Sequence, residues 1–551
     1  MAALDPIGSA LTKRQAGHLL RRATFGPTHE DIISVTGQDV STVVDNLFVD
    51  QEVPSPPVDL ATGQSWLPKP VEDVNSGGDE LQLYFLSWWM DQMRVSGRTI
   101  KEKLVFFLHT HITTKADVVE SATALYYQNA LFRFYALGSF KELAFKICFD
   151  NAMLIFLDGR QNVKGSPQEN FGREFLELYT IGKGTQVGPG DYTNYSELDV
   201  RECAKIFSGY QEDENFITID PDTNLPTGTL RGNGLVAVAH DASNKVLSAA
   251  FGEAEIAPIA VDNNDQATKE DTIDEVTQLV DVIFDQAETA KHICRKLYRF
   301  FCYYNITDEV ETNVIAPLAD TFVANEFNMV PVLQQLFKSQ HFYDLDNSMT
   351  TDDLTGAIIK SPLDLVIGTL RTLKIDFPDY ATETQAFYED AYQSLYNMMD
   401  DQGMKLYEPY EVAGYAAYHQ FPAYNRNWIS ANYLGNRYQF AALLIQGINK
   451  YGDESTLSLD VVDFVENQLT GVTVSDPTEL VQELVDLLLP QEIPADRLEY
   501  FLNDILLDDL PLNNWTNEWV KYLSNGDDMV VRQQLENLFI ALMQSPEYQL
   551  M

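Results

Sequence analysis

Three clusters of side chains in this sequence have the types and spacing for chemistry. The densest lies between Ser166 and Gly182, where Glu169, Arg173, Glu174 and Glu177 fall on one predicted helix. On a 3.6-residue period Asn170, Glu174 and Glu177 share a face, while Glu169, Arg173 and Glu177 stand in i,i+4 relation. Two carboxylates one turn apart are either a solvated ladder with Arg173 or half of a buried acid or metal site. The second cluster is His109-Thr-His111. Histidines two apart point about 200° away from each other on a continuous helix. They share an ion only if the helix ends near His109; core or capping histidines are the plainer reading. The third is His240-Asp241, at the end of an apolar run, where a strand end can aim a side chain at a neighbouring site.

Brought together, His109, His111, Glu174, Glu177 and His240 would be a donor set for zinc, manganese or iron. Neutral imidazole and carboxylate suit these divalent cations, and an open coordination position allows hydrolytic or redox steps. Glu174, Glu177, Arg173 and Asp241 would then be the catalytic groups, with Arg173, Arg21 or Arg22 neutralising a substrate anion or holding the carboxylates. The opposing reading is a set of buried salt-bridge networks that fix helix register, because fully paired Arg and Glu leave the same residue pattern. On that reading Arg21 or Arg22 pairs with buried carboxylates, and Asp199 is a first-turn acid matched to the helix dipole instead of a ligand.

The elements that would position these groups are mostly helices. Thr12 is a candidate N-cap before Ala16, Leu19, Leu20 and Ala23 at helical spacing. Leu81 to Met93 is apolar and aromatic, and Thr99 to Leu108 follows with Lys101, Glu102 and Lys103 predicted outward. Ser166, Pro167 and Glu169 read as N-cap, first helical residue and capping-box acid of the densest cluster, with Gly182 as its stop. Ser196 with Asp199 and Ser361 with Pro362 open two more helices. Residues 213–252 change character: Phe216 to Ile219, Leu235 to Asp241 and Lys245 to Leu247 read as short strands of a small antiparallel sheet. Asp262 to Asp265 lacks the glycine and terminal glutamate of an EF-hand and reads as a solvated loop. The predicted fold is mainly α, a large multi-helical globular fold with a small antiparallel β insertion at 213–252. Residues 1–350 form the helical core, and 351–551 a C-terminal helical part packed on it as one continuous unit.

Composition bounds the partners. The 551 residues carry 82 acidic against 37 basic side chains, a formal charge of −45. Such a balance excludes a nucleic-acid backbone or an anionic membrane surface as main partner and favours cations or basic proteins. It also suits a salty medium, where screening reduces self-repulsion. No apolar run reaches the roughly 18 residues of a membrane span, so no membrane insertion is predicted. Cys148, Cys203, Cys294 and Cys302 read as buried thiols. The N-terminal stretch has neither a basic n-region nor an apolar h-region, which makes a cytoplasmic location the default.

Several stretches together resemble the bacterial proteins grouped as domain of unknown function 1800. His18 to Gly26 is similar to the family's opening HLLRRATFG motif, and Phe107 to His111 to its WHNHF element. Gln168 to Gly182 resembles the NENYARELMELFTLG signature, and Tyr192 to Tyr210 the YTExDVxExARxxTGW element. His240-Asp241, Lys360 to Asp364 and Gln544 to Tyr548 match later motifs, so the likeness spans nearly the whole chain. Phe107, Thr110, Gln168 and Tyr210 depart from the pattern, whereas His109, His111, Glu169, Arg173, Glu174 and Glu177 are retained. The resemblance names no reaction. It implies frequent export among relatives and frequent pairing with a companion protein of another uncharacterised family. Two functions stay open: a metal-dependent or acid/base enzyme with a His/Glu site in a helical core, or a structural or interaction protein whose acidic surface meets a partner.

Overall fold

Helix starts and stops follow local chemistry in most places. Thr12 opens α1 (Lys13–Ala23) with a reciprocal capping box, its hydroxyl accepting from Gln15 N at 3.3 Å while Gln15 Oε1 accepts from Thr12 N at 2.9 Å. The computed structural model describes residues 3–8, 10–67, 78–232, 236–258, 266–346, 354–448 and 457–551. The Asp262 to Asp265 loop and Leu235 lie outside the described residues. Helix makes up 57% of the chain and the strands are two or three residues each, so the fold is mainly α, as expected.

The helices that frame the sites are, after α1, α2 (Gly78–Val95), α3 (Lys101–His111), α4 (Ala122–Tyr135), α5 (Asn170–Glu174), α6 (Glu197–Ile206), α7 (Lys269–Phe284), α8 (Ala287–Phe301), α9 (Pro362–Thr372), α10 (Pro477–Leu488) and α11 (Met529–Met543). Aromatic packing explains the centre: Phe85, Trp89, Phe106 and Tyr407 interlock with ring centroids 5.5–6.4 Å apart. One cluster of buried apolar residues runs from Ile7 to Tyr548. Polar links also cross between the two halves of the chain, with Lys103 paired to Asp364 and Arg21 Nη2 donating to Leu487 O at 2.8 Å.

Two expectations about this frame change. Lys101, Glu102 and Lys103 are not outward but buried, along with the rest of α3. Each has a partner, Lys101 with Asp50 at 2.5 Å, Glu102 with Arg133, and Lys103 with Asp364, which is how charged groups survive burial. The β insertion is not one sheet. Three separate antiparallel pairs occur among the described residues: Gln186–Gly188 with Asp191–Tyr192, Tyr210–Gln211 with Thr229–Leu230, and Lys245–Val246 with Glu255–Ile256. The run Phe216 to Ile219 fails as a strand because the Asp213 carboxylate accepts from the backbone N–H groups of Asn215, Ile217 and Thr218 at 2.6–3.1 Å. A side chain has taken the donors a ladder needs, and Phe216 sits at φ +54°.

Candidate functional site

The helix of the densest cluster starts later than its sequence suggests. Ser166 pairs with Val163 in an isolated bridge, and Gln168 N donates to Asn162 Oδ1 at 3.1 Å. With those groups engaged, α5 begins at Asn170 with no side-chain cap. It then widens into a π turn, Phe175–Tyr179, closed by Gly182 N on Leu176 O at 2.9 Å. Gly182 is at φ +76°, and a Cβ there would lie 2.5 Å from His292 Nδ1. Both the left-handed backbone and the close approach of His292 require glycine.

The ionisable groups of this helix have distinct fates. Arg173 forks onto Glu197 in the first turn of α6, at 2.5 and 3.0 Å, with a third contact to Glu169 at 3.3 Å. The pair pulls the Glu197 carboxyl below its usual range. Glu177 accepts from Tyr195 Oη at 2.8 Å and pairs with Lys183. Glu174 makes neither a hydrogen bond nor an ion pair among the described residues. Burial, then the neighbouring Glu177 charge, lifts its carboxyl to about 7.

The histidines diverge. Since α3 continues through His111, His109 and His111 point to different neighbourhoods, as the helical period requires. His109 lies among Trp89, Tyr407 and Tyr415, with Nε2 3.3 Å from Tyr415 Oη. His111 Nε2 donates to Tyr179 O at 3.1 Å, and His292 bonds the carbonyl of Leu178. Two neutral imidazoles therefore cap the last carbonyls of the π turn, where an open helix end would leave them bare. Burial holds both His109 and His111 down at about 3.

His240 lies elsewhere again. Its Nδ1 donates to Ser208 O at 2.9 Å, and its Nε2 is 3.1 Å from Glu275 Oε2, which also pairs with Lys245 in a fully buried knot. Asp241 turns back on its own loop, accepting from Ser243 N at 2.9 Å. Asp199 serves as cap and crosslink, its carboxylate taking Ser196 N, Ser196 Oγ, Ser248 N and Ser248 Oγ at 2.7–2.9 Å. Arg21 and Arg22 meet carbonyls, not carboxylates: Arg21 the end of α10 through Asp486 O and Leu487 O, Arg22 the end of α8 through Phe301 O and Cys302 O, together with Leu354 O. All four cysteines are free and buried.

Thus His109, His111, Glu174, Glu177 and His240 are not gathered around one point. Among the described residues no group of three His, Cys, Asp or Glu side chains is placed to hold a metal ion.

A cavity of about 40 Å³ lies beside this network, between α3, α8 and the irregular segment 411–428. Gly414 brings that segment against the end of α3, since a Cβ there would meet Thr113 Oγ1 at 2.9 Å and Thr110 O at 3.0 Å. The wall holds His111, Lys296, Arg299 and His419. The last three were not singled out from the sequence. Their signal was present: His292, Lys296 and Arg299 form a basic stripe on α8 in a strongly acidic chain.

A helical frame whose motif residues bond to distant carbonyls, caps and carboxylates is the class of protein that the fold and these contacts define. The chain belongs to the family described as Protein of unknown function (DUF1800), whose model matches residues 18–550. No curated protein and no solved structure matches the chain. No helix among the described residues is long and apolar enough to cross a membrane.

Proposed function

We propose that this protein is a non-enzymatic interaction scaffold that binds a basic, amphipathic segment of a partner protein. One observation carries the reading: an open groove of about 940 Å³ between the turn Tyr500–Leu506 and α11. Tyr500, Leu510 and Met529 line it and are 38%, 47% and 71% exposed, apolar surface of the kind that marks a docking site. Asp504 and Asp508 stand exposed in the same wall, while Arg497 there is engaged with Glu547 at 3.6 Å. An apolar floor with an acidic rim suits a helix carrying leucines on one face and lysines on the other. The motif residues support the scaffold role, because Arg173, Glu177, His111, His240, Arg21 and Arg22 all bond within the protein.

The test is fluorescence anisotropy with a synthetic amphipathic Leu/Lys helix and a scrambled peptide of identical composition. The ordered peptide is expected to bind at least about tenfold more tightly, and Leu510→Asp with Met529→Asp to remove that preference. Equal binding of both peptides overturns the reading, since it would reflect net charge alone.

A second reading, acid/base chemistry at the signature helix, is favoured by Glu174. It is unpaired, half-buried and held near neutrality, the state a general acid or base needs. Loss of any turnover in Glu174→Gln with the fold intact would support it.

A further inference from the structure

We propose that the cavity between α3, α8 and the segment 411–428 binds a small oxyanion that carries a proton of its own, of the hydrogen phosphate or hydrogen carbonate class. The charge balance points there first. Lys296 has no hydrogen bond or ion pair among the described residues, and Arg299 beside it uses Nε on Tyr304 O at 3.3 Å and stacks its guanidinium over Tyr424. Asp364, the only acidic side chain in the wall among the described residues, is already paired with Lys103. In a chain with 82 acidic residues, Lys296 and Arg299 line a space in which no unpaired acidic side chain stands among the described residues. Burial and the Arg299 charge lower Lys296 to about 8, which an incoming anion would reverse.

Size and hydrogen-bond inventory then narrow the ligand. A cavity of about 40 Å³ has room for a small ion. Lys296 and Arg299 donate. His419 bonds the carbonyl of Gly414, so its Nδ1 carries the proton and its buried Nε2 is a bare acceptor without a partner. His111, with its proton on Nε2 facing Tyr179 O, likewise leaves Nδ1 buried and unpartnered. A site offering both donors and acceptors is satisfied by an anion that has both oxygens and an O–H. A fully deprotonated tetrahedral anion such as sulfate would leave the imidazole lone pairs unmet, at the cost of an unsatisfied buried acceptor.

Isothermal titration of the full chain with inorganic phosphate, sodium bicarbonate and sodium sulfate, in a buffer free of other oxyanions, tests this. One equivalent of phosphate or bicarbonate is expected to bind, with sulfate at least about tenfold weaker. Lys296→Met should abolish binding. Because it removes an unpaired charge, that variant should fold with a melting temperature at or above the parent's. His419→Phe should equalise phosphate and sulfate. No binding of either protonated anion overturns the proposal, and so does equal affinity for sulfate in the parent, which would indicate an adventitious ion only.

Discussion

The signature helix and the cavity beside it share His111 yet treat their polar groups in opposite ways. Around α5 and its π turn, Arg173, Glu177, His111 Nε2 and one nitrogen of His292 are taken up by carboxylates, a phenol, a lysine or helix-end carbonyls, with Glu174 and His292 Nε2 as exceptions. In the cavity wall, one nitrogen each of His111 and His419 is buried without a hydrogen-bond partner, and Lys296 makes no hydrogen bond or ion pair among the described residues. Satisfied polar groups fix geometry, and unsatisfied ones keep capacity for a ligand. The dense motif is thus the frame, and the sparse basic stripe on α8 is where binding capacity lies.

Four substitutions would break or sharpen this contrast. The largest effect is expected at Glu275, whose removal strands Lys245 in a site with no solvent exposure. Glu275→Ala should cost about 3–5 kcal/mol, read by urea denaturation; a loss below about 1 kcal/mol would show that the knot is not part of the frame. Gly182→Ala should cost about 2 kcal/mol through backbone strain and the clash with His292. Arg173→Met removes a pair in which both side chains are about a third exposed, so a loss of at most about 1 kcal/mol is expected in the same assay.

The smallest effect has a pH signature. The Glu174 carboxyl sits at about 7 in the fold against 4.5 in the unfolded chain. An acid raised in this way contributes its full stability below pH 4.5 and loses it as pH rises through 7. Glu174→Gln, which mimics the protonated form, should therefore melt higher than the parent at pH 8, by less than about 1 kcal/mol after solvent screening, and match it near pH 4.5. A parent-like melting curve across that range would show that Glu174 is better hydrated than the fold suggests.

Much of the frame was legible because it is local. Thr12, Ser196 and Ser361 stand at the helix starts predicted for them, and the structure adds that each closes a capping box, with Gln15, Asp199 and Asp364. Ser166 with Glu169 has similar spacing and fails, since the bridge to Val163 and the Asn162 side chain reach the segment first. The histidine pair shows the limit from the other side. Periodicity stated that His109 and His111 share an ion only if the helix stops, and it does not stop. What no local pattern could supply is the cavity. Lys103, Lys296 and His419 come from three distant segments, and their shared wall exists only after Gly414 lets one segment rest on α3.

The two arginines near the N-terminus carry a consequence for how the molecule is made. Arg21 waits for Leu487, 466 residues on, and Arg22 for Cys302 and Leu354, 280 and 332 residues on. At about 5–20 residues per second of synthesis, the carbonyls that satisfy Arg21 emerge roughly 25–90 s after it does. During that interval its guanidinium lacks those carbonyls, so α1 reaches its final seat only after α10 has been made. An early motif is thus among the last to lock, and any truncation before α10 leaves Arg21 without the carbonyls of Asp486 and Leu487.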